Sequence, residues 1–336
     1  MRPRRLAIAA SAVGLAAGLA GCGSGSRTTI VVYNGQHPQL TSALVSAFTH
    51  QTGIHVSVRT GDGIVLADQI LQEGSDSPAD VYLTENSPEL TNLESHRLLA
   101  KLPNSIVHQI PARDDSPAAD WAGIALRVST LVYDPARLSS SDLPRSALQL
   151  TDPQWQGKIA VAPTDSDFPP VVGAIIAADG RSVALRWLDG LKRNAQLFQD
   201  DEAVVAAVNR GAVDAGLINH YYWYRLRQEV GRSAIRSRLY YFPNHDVGSV
   251  QNISGAAVLA SSQHKHMAER FVRFLVSPAA QRILAHSYDF EYPARPGIAP
   301  NPQLPPLSSI ATASLSAAAL GTDQEAAQLI QQAGLA

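Results

Sequence analysis

Cysteine is almost absent from this chain of 336 residues. The one thiol, Cys22, has no partner for an intramolecular disulfide, and no cysteine pair exists to hold zinc. Charge is sparse, at 17% of residues, and nearly balanced, with 27 Lys and Arg against 29 Asp and Glu. No basic stripe stands out, which argues against nucleic acid as a partner. Beyond residue 20 no apolar run is long enough to cross a bilayer. The chain also lacks a phosphate-binding glycine loop, a nucleophile elbow and a repeat of solenoid length. An enzyme is therefore not expected.

What is present begins with Met1-Arg2-Pro3-Arg4-Arg5 and an apolar stretch from Leu6 to Ala20, too short for a spanning helix. It ends Leu19-Ala20-Gly21-Cys22, which resembles the lipobox of bacterial lipoproteins. That resemblance implies a signal peptide over 1–21, lipid on Cys22, and a flexible tether over 22–28. With two or more acyl chains such an anchor holds firmly to the outer face of the cytoplasmic membrane. The remaining residues, a little over 300, suffice for two domains of ordinary size.

Thr28 to Tyr33 is β-branched and reaches the turn Asn34-Gly35, which predicts a strand. Apolar residues at Leu40, Ala43, Leu44, Ala47 and Phe48 have the helical period, closed by Gly53. His55 to Arg59 alternates like a half-buried strand. Asp62 to Gly74 reads as a helix capped by Asp62, and Asp80 to Leu83 as a third strand. This order of alternating strands and helices predicts an open α/β sheet, whose ligands collect beyond the carboxyl ends of the strands. His37 and Glu85 both follow strands and so fall on that edge. Gly123 to Asp134 is long and apolar enough to pass between two lobes. Further strands are expected at Lys158 to Val161 and Ile253 to Leu259. Helices are expected at 171–178, 182–193, 265–276, 278–286 and 323–333, with a proline-rich wrap over 293–307.

The most distinctive stretch is Leu217-Ile218-Asn219-His220-Tyr221-Tyr222-Trp223-Tyr224-Arg225. An apolar run over 212–218 predicts a strand, and Trp223 to Val230 a helix, so the tyrosine pair stands at the handover. Phenolate is a hard anionic oxygen, and two together suit a highly charged hard cation. The plainer reading is two packed phenols hydrogen-bonded through their hydroxyls. Trp121, Trp155, Trp187 and Trp223 read as packing residues, and Trp223, beside the pair, is also a candidate for the cleft lining. His55, His108, His245 and His286 have no partners at ligand spacing, and His264-Lys265-His266 opens an exposed helix.

Tyr33-Asn34-Gly35-Gln36-His37, Ser77-Pro78-Ala79-Asp80-Val81-Tyr82-Leu83-Thr84-Glu85 and Asn219-His220-Tyr221-Tyr222-Trp223-Tyr224 resemble, in order and spacing, the periplasmic ferric-iron-binding proteins. These are receptors of ferric-iron ABC importers. The resemblance runs from about Thr28 to Pro306. It implies a two-lobed periplasmic-binding-protein-like α/β fold of type II, with hinge strands and a metal cleft. The implied lobes are 29–128 with 253–302, and 129–252, and residues 303–336 pack on the second. It implies an extracytoplasmic receptor, monomeric, delivering Fe(III) to a permease and its ATPase. Tyr221, Tyr222, Glu85 and His37 stand at its metal-ligand positions.

The resemblance also implies a small synergistic anion, carbonate or phosphate, on a loop before a helix. Here that loop reads Thr164-Asp165-Ser166-Asp167-Phe168, and the neighbouring Asn-rich segment appears as Asp200-Asp201-Glu202. Asn219 matches an anion contact, Asn86 stands where glutamine is usual, and Arg127 is a further candidate for an anion or for Glu85. Two carboxylates beside such a pocket repel phosphate. Either Asp165 or Asp167 substitutes for the anion or changes which is accepted, or both acids cap the helix starting near Phe168. Two rival functions remain. A receptor of the same fold for a polyamine, thiamine or a ferric chelate would use the aromatic cluster Tyr221 to Tyr224. A secreted hydrolase would use Glu85 and His37 as an acid–base pair.

Overall fold

The computed structural model describes residues 29–336. The signal peptide, Cys22 and the tether expected from the sequence lie outside them. The chain begins with β1 (Thr29–Gly35), α1 (Pro38–Thr52), β2 (His55–Thr60), α2 (Gly63–Glu73) and β3 (Val81–Thr84), as the periodicity predicts. Pro38 fixes the first turn of α1, and Gly53 ends it in the left-handed conformation at φ 73°. Asp62 accepts from the Val65 N–H at 3.1 Å and caps α2. Strand β2 is more exposed than its alternation suggests, because it is the sheet edge and pairs only with β1.

Next come α3 (Ser87–Ser95), a single turn α4 (Asn104–Val107) and the long strand β4 (Trp121–Tyr133). Beyond it lie β5 (Ile159–Val161), α5 (Pro169–Asp179), α6 (Arg181–Asn194), β6 (Ala195–Leu197) and α7 (Asp201–Asn209). The chain continues through β7 (Ala215–Asn219), α8 (His220–Val230) and β8 (Arg238–Tyr240). It then returns as β9 (Gln251–Val258), α9 (Lys265–Leu275), α10 (Pro278–Ala285), β10 (Tyr292–Pro293) and α11 (Asp323–Ala333).

The strand order is β2-β1-β3-β9-β4-β7-β5-β6, with β8 and β10 also paired to β4. β4 joins the two halves. Trp121 to Val128 pairs antiparallel with β9, and Ser129 to Tyr133 pairs antiparallel with β7. The apolar core falls into two clusters, the larger of which runs through both halves. One cluster includes Ile30, Phe48, Val81, Tyr82 and Phe271, and the other Leu131, Trp155, Trp187, Leu329 and Ile330. At the crossing, however, the buried strand residues turn polar: Arg127, Ser129, Thr130, Gln251, Asn252 and Ser254. Polar groups out of water need partners, and those partners are the residues of the site.

Two local expectations are corrected. α8 begins at His220 rather than Trp223, because Asn219 is still extended (φ −81°, ψ 146°) and the helix takes over directly from β7. α5 begins at Pro169, and its cap position, Phe168, has no side-chain cap hydrogen bond, so neither Asp165 nor Asp167 caps it.

Candidate metal centre

A cleft of about 520 Å³ opens between the two halves, and His37, Glu85, Tyr221 and Tyr222 all line it. His37 arrives from the end of β1 and Glu85 from the end of β3. Two glycines allow this approach. A Cβ on Gly35 would stand 2.7 Å from the Gly63 Cα, and one on Gly63 would stand 2.5 Å from Glu89 Oε2. The tyrosines occupy the first turn of α8. Neighbours there diverge by about 100°, but helical side chains lean toward the N-terminus and reach past the helix end. Their rings lie 4.1 Å apart at 31°, and both reach the same cleft. The start of α8 also carries the positive end of the helix dipole, which favours phenolate.

The donors are held by one another. His37 Nδ1 lies 2.7 Å from Glu85 Oε1 and 2.5 Å from Gln36 Oε1. With Nδ1 engaged, Nε2 is the nitrogen left for coordination. Burial alone would lower the His37 pKa, but the charges of Glu85, Glu291 and Asp289 outweigh it and raise it to about 9. Burial alone would raise Glu85, and the cationic His37 and Arg127 instead bring it to about 2. Burial lifts both tyrosines well above their ordinary value, reinforced by the Asp167 carboxylate. Tyr221 donates to Asp167 Oδ2 at 2.8 Å. These shifts favour an imidazolium–carboxylate pair facing two protonated phenols.

Arg127 sits at the centre of this arrangement, fully buried on β4 two residues before the strand changes partners at Ser129. Its guanidinium donates to Glu85 Oε2 at 2.7 Å, Asn86 Oδ1 at 2.8 Å and Glu291 Oε1 at 3.3 Å, and Asp167 Oδ1 lies 3.4 Å away. It also donates to the Glu85 carbonyl. Desolvation disfavours its charge, yet Asp167, Glu85 and Glu291 hold its pKa well above the usual value.

Of the other residues singled out from the sequence, Thr164, Asp165 and Ser166 line the cleft. Asn86, Asp167, Asp201 and Asn219 are buried. Asp165 accepts from the Asp167 and Asp201 N–H groups, each at 3.0 Å, and Asp201 accepts from the Asn219 N–H at 3.1 Å. Burial raises Asp165 to about 7 and Asp201 well above its ordinary value, with neighbouring acids adding to both. Trp223 does not line the cleft. It packs edge-on to Tyr224 and donates through Nε1 to the Ser237 carbonyl at 3.1 Å.

Sequence reasoning passed over several participants. Gln36 ties His37 to the crossing, donating to Ser254 Oγ at 2.8 Å and Glu291 Oε2 at 3.3 Å. Its place beside His37 was the available signal. Arg225, one helical turn beyond Tyr221, lies 5.9 Å from both tyrosine rings and 3.6 Å from Glu202. His220 is wholly buried, and burial lowers it to about 3. Its Nδ1 therefore accepts from the Val128 N–H at 3.2 Å, and its Nε2 donates to the Phe290 carbonyl at 3.0 Å. That pins the tyrosine-bearing turn to β4. Among the described residues, no group of three His, Cys, Asp or Glu side chains is arranged to hold a metal. A candidate donor set of four is reached only when the phenols are counted with His37 and Glu85.

Residues 29–288 match the family model described as bacterial extracellular solute-binding protein. The Fe(3+)-binding periplasmic protein of Serratia marcescens is 39% identical over 306 residues, 91% of this chain and 90% of that protein. Iron-bound HitA from Pseudomonas aeruginosa superposes with a TM-score of 0.86 at 40% identity, covering 91% of this chain and 99% of that one. A Trichodesmium protein (IdiA, FutA), solved in complex with iron and citrate ligands, gives a TM-score of 0.79 at 29% identity, over 91% and 99% of the two chains. This chain belongs to the bacterial extracellular solute-binding protein family.

Proposed function

We propose that this protein captures Fe(III) between its two lobes outside the cytoplasm and delivers it to an ABC importer, a permease with its ATPase. The observation that carries the reading is the convergence on one cleft of His37 and Glu85 from one half with Tyr221 and Tyr222 from the other. Two phenolates and a carboxylate bring three negative charges to a trivalent ion, and imidazole completes the protein's share. Hard oxygen donors select such an ion over soft metals. Asn219, Asn86, Thr164, Ser166, Asp165, Asp167, Asp201 and Arg127 form the polar surround that orients these ligands. Relatives named for ferric-iron binding support the same reading.

In this reading residues 29–128 and 253–302 form one lobe and 129–252 the other, with 303–336 packed on the second. The hinge runs through the crossing strands β4 and β9. Metal that touches both lobes binds the closed form better than the open one, and that difference drives closure. The body works as a monomer tethered by lipid on Cys22, without catalytic turnover. Competition with citrate tests the assignment. One Fe(III) per chain should be retained by the wild type. Glu85→Gln and His37→Ala should weaken retention, and Tyr222→Phe more strongly still. Retention unchanged in all the variants would overturn the assignment.

A further inference from the structure

We infer that Asp167 makes the metal shell of this protein independent of a free oxyanion, the carboxylate being supplied from within the chain. The inference rests on the reading of the cleft as an Fe(III) site. Four protein donors leave a hard six-coordinate ion with positions to fill. A small oxyanion filling them needs N–H donors on the protein, usually at helix starts.

Here the loop before α5, the start of α7 and the end of β7 lie beside the tyrosines, and several of their N–H donors are already taken by carboxylates. The Asp167 and Asp201 N–H groups both go to Asp165, the Ala203 N–H goes to Asp200 at 2.7 Å, and the Asn219 N–H goes to Asp201. The terminal nitrogens of Arg127, the buried cation, face Glu85, Asn86, Glu291 and Asp167, and its buried Nε has no partner in the protein.

Asp167 itself is 4% exposed and stands between the Tyr221 hydroxyl at 2.8 Å and Arg127 Nη2 at 3.4 Å. That is the place, between a ligand and a fixed cation, where an anion would rest. Asn219 Nδ2 is buried without a protein partner, but Asn219 Oδ1 is tied to Ser129 at 3.3 Å. The void bounded by Ser129, Asp167 and Asp201 is only about 10 Å³. A void of that size holds one water, and a free anion would have to come from the open cleft side, where Thr164, Asp165 and Ser166 stand.

The test is Fe(III) affinity of the full chain, by chelator competition, in buffer freed of phosphate and carbonate and then with either anion at millimolar concentration. The wild type should change by less than about twofold, with an unshifted visible band. Asp167→Ala should bind more weakly without anion and recover at least tenfold with phosphate. Asp167→Glu, which keeps the charge, should stay independent of anion. Circular dichroism checks that the variants are folded. A tenfold tightening of the wild type by phosphate would overturn the inference, as would an Asp167→Ala protein that ignores anions. Failure of the iron reading is separately visible, as a wild type that shows no iron band under any anion.

Discussion

The Tyr221 hydroxyl donates to Asp167 Oδ2 at 2.8 Å, and Asp167 in turn faces Arg127, which donates to Glu85. A ligand candidate of one lobe is thus linked to a ligand candidate of the other through two buried groups. Tyr221→Phe removes the donor and leaves a buried carboxylate short of a partner. Losing a hydrogen bond to a charged group costs about 1.5–3 kcal/mol. Urea denaturation of the metal-free variant should show a loss of that size, and an unchanged midpoint would contradict the link.

Arg127 faces Glu85, Glu291 and Asp167 from a fully buried position. Arg127→Gln leaves those carboxylates uncompensated. Breaking a buried ionic cluster from one side costs about 3–5 kcal/mol, far more than a surface pair. The variant should unfold at markedly lower urea, with the same slope. A loss under about 1 kcal/mol would mean that water, rather than the guanidinium, balances the acids.

Iron loading should depend steeply on pH. His37 keeps its proton up to about 9, and burial holds the phenols protonated still higher. Metal must displace a proton from each of His37, Tyr221 and Tyr222. The logarithm of the apparent affinity should therefore rise by up to about three per pH unit on the acid side of His37's transition. A flat profile, after correction for the competitor's own protonation, would contradict the ligand set. In the metal-free fold the same shifts act on stability. His37, raised from 6.5, contributes fully below 6.5 and loses its contribution as pH rises through about 9. Glu85, lowered from 4.5, contributes fully above 4.5 and loses its contribution as pH falls through about 2.

Gly63 opens α2 at the cleft wall, where an added Cβ would meet Glu89 Oε2 at 2.5 Å and Thr84 Oγ1 at 2.7 Å. Glu89 is buried and its carboxyl is held by Tyr82, Thr84 and Asn86, so it has little room to move aside. Gly63→Ala should cost about 1–3 kcal/mol as overpacking. Thermal unfolding checks this, and an unaltered transition would show that the wall gives way.

Much of this was legible in the sequence where local rules decide. Gly53 and the apolar period placed α1, and Asp62 placed α2, because caps and helix breakers act over a few residues. Residues with the family's spacing, His37, Glu85 and the tyrosine pair, reached one cleft together. Legibility failed where partners are distant in sequence. Glu291 meets Arg127 from 164 positions away, and His220 reaches Val128 across 92. Asp165 and Asp167 read equally as stand-ins for an anion or as caps for the helix beside them, and the cap reading failed. Asp165 instead serves the start of α7, and Asp167 serves Tyr221, because the β5 loop folds against elements further along the chain. The true start of α8 was missed because aromatic residues carry weak helix preference, and the Asn219 turn overrode it.

The most direct test is the visible spectrum of the protein loaded with ferric iron. Phenolate bound to Fe(III) absorbs broadly in the visible, so the wild type should be coloured and Tyr221→Phe combined with Tyr222→Phe colourless. A wild type that binds iron without colour, or a double variant that keeps it, would contradict coordination by these two tyrosines.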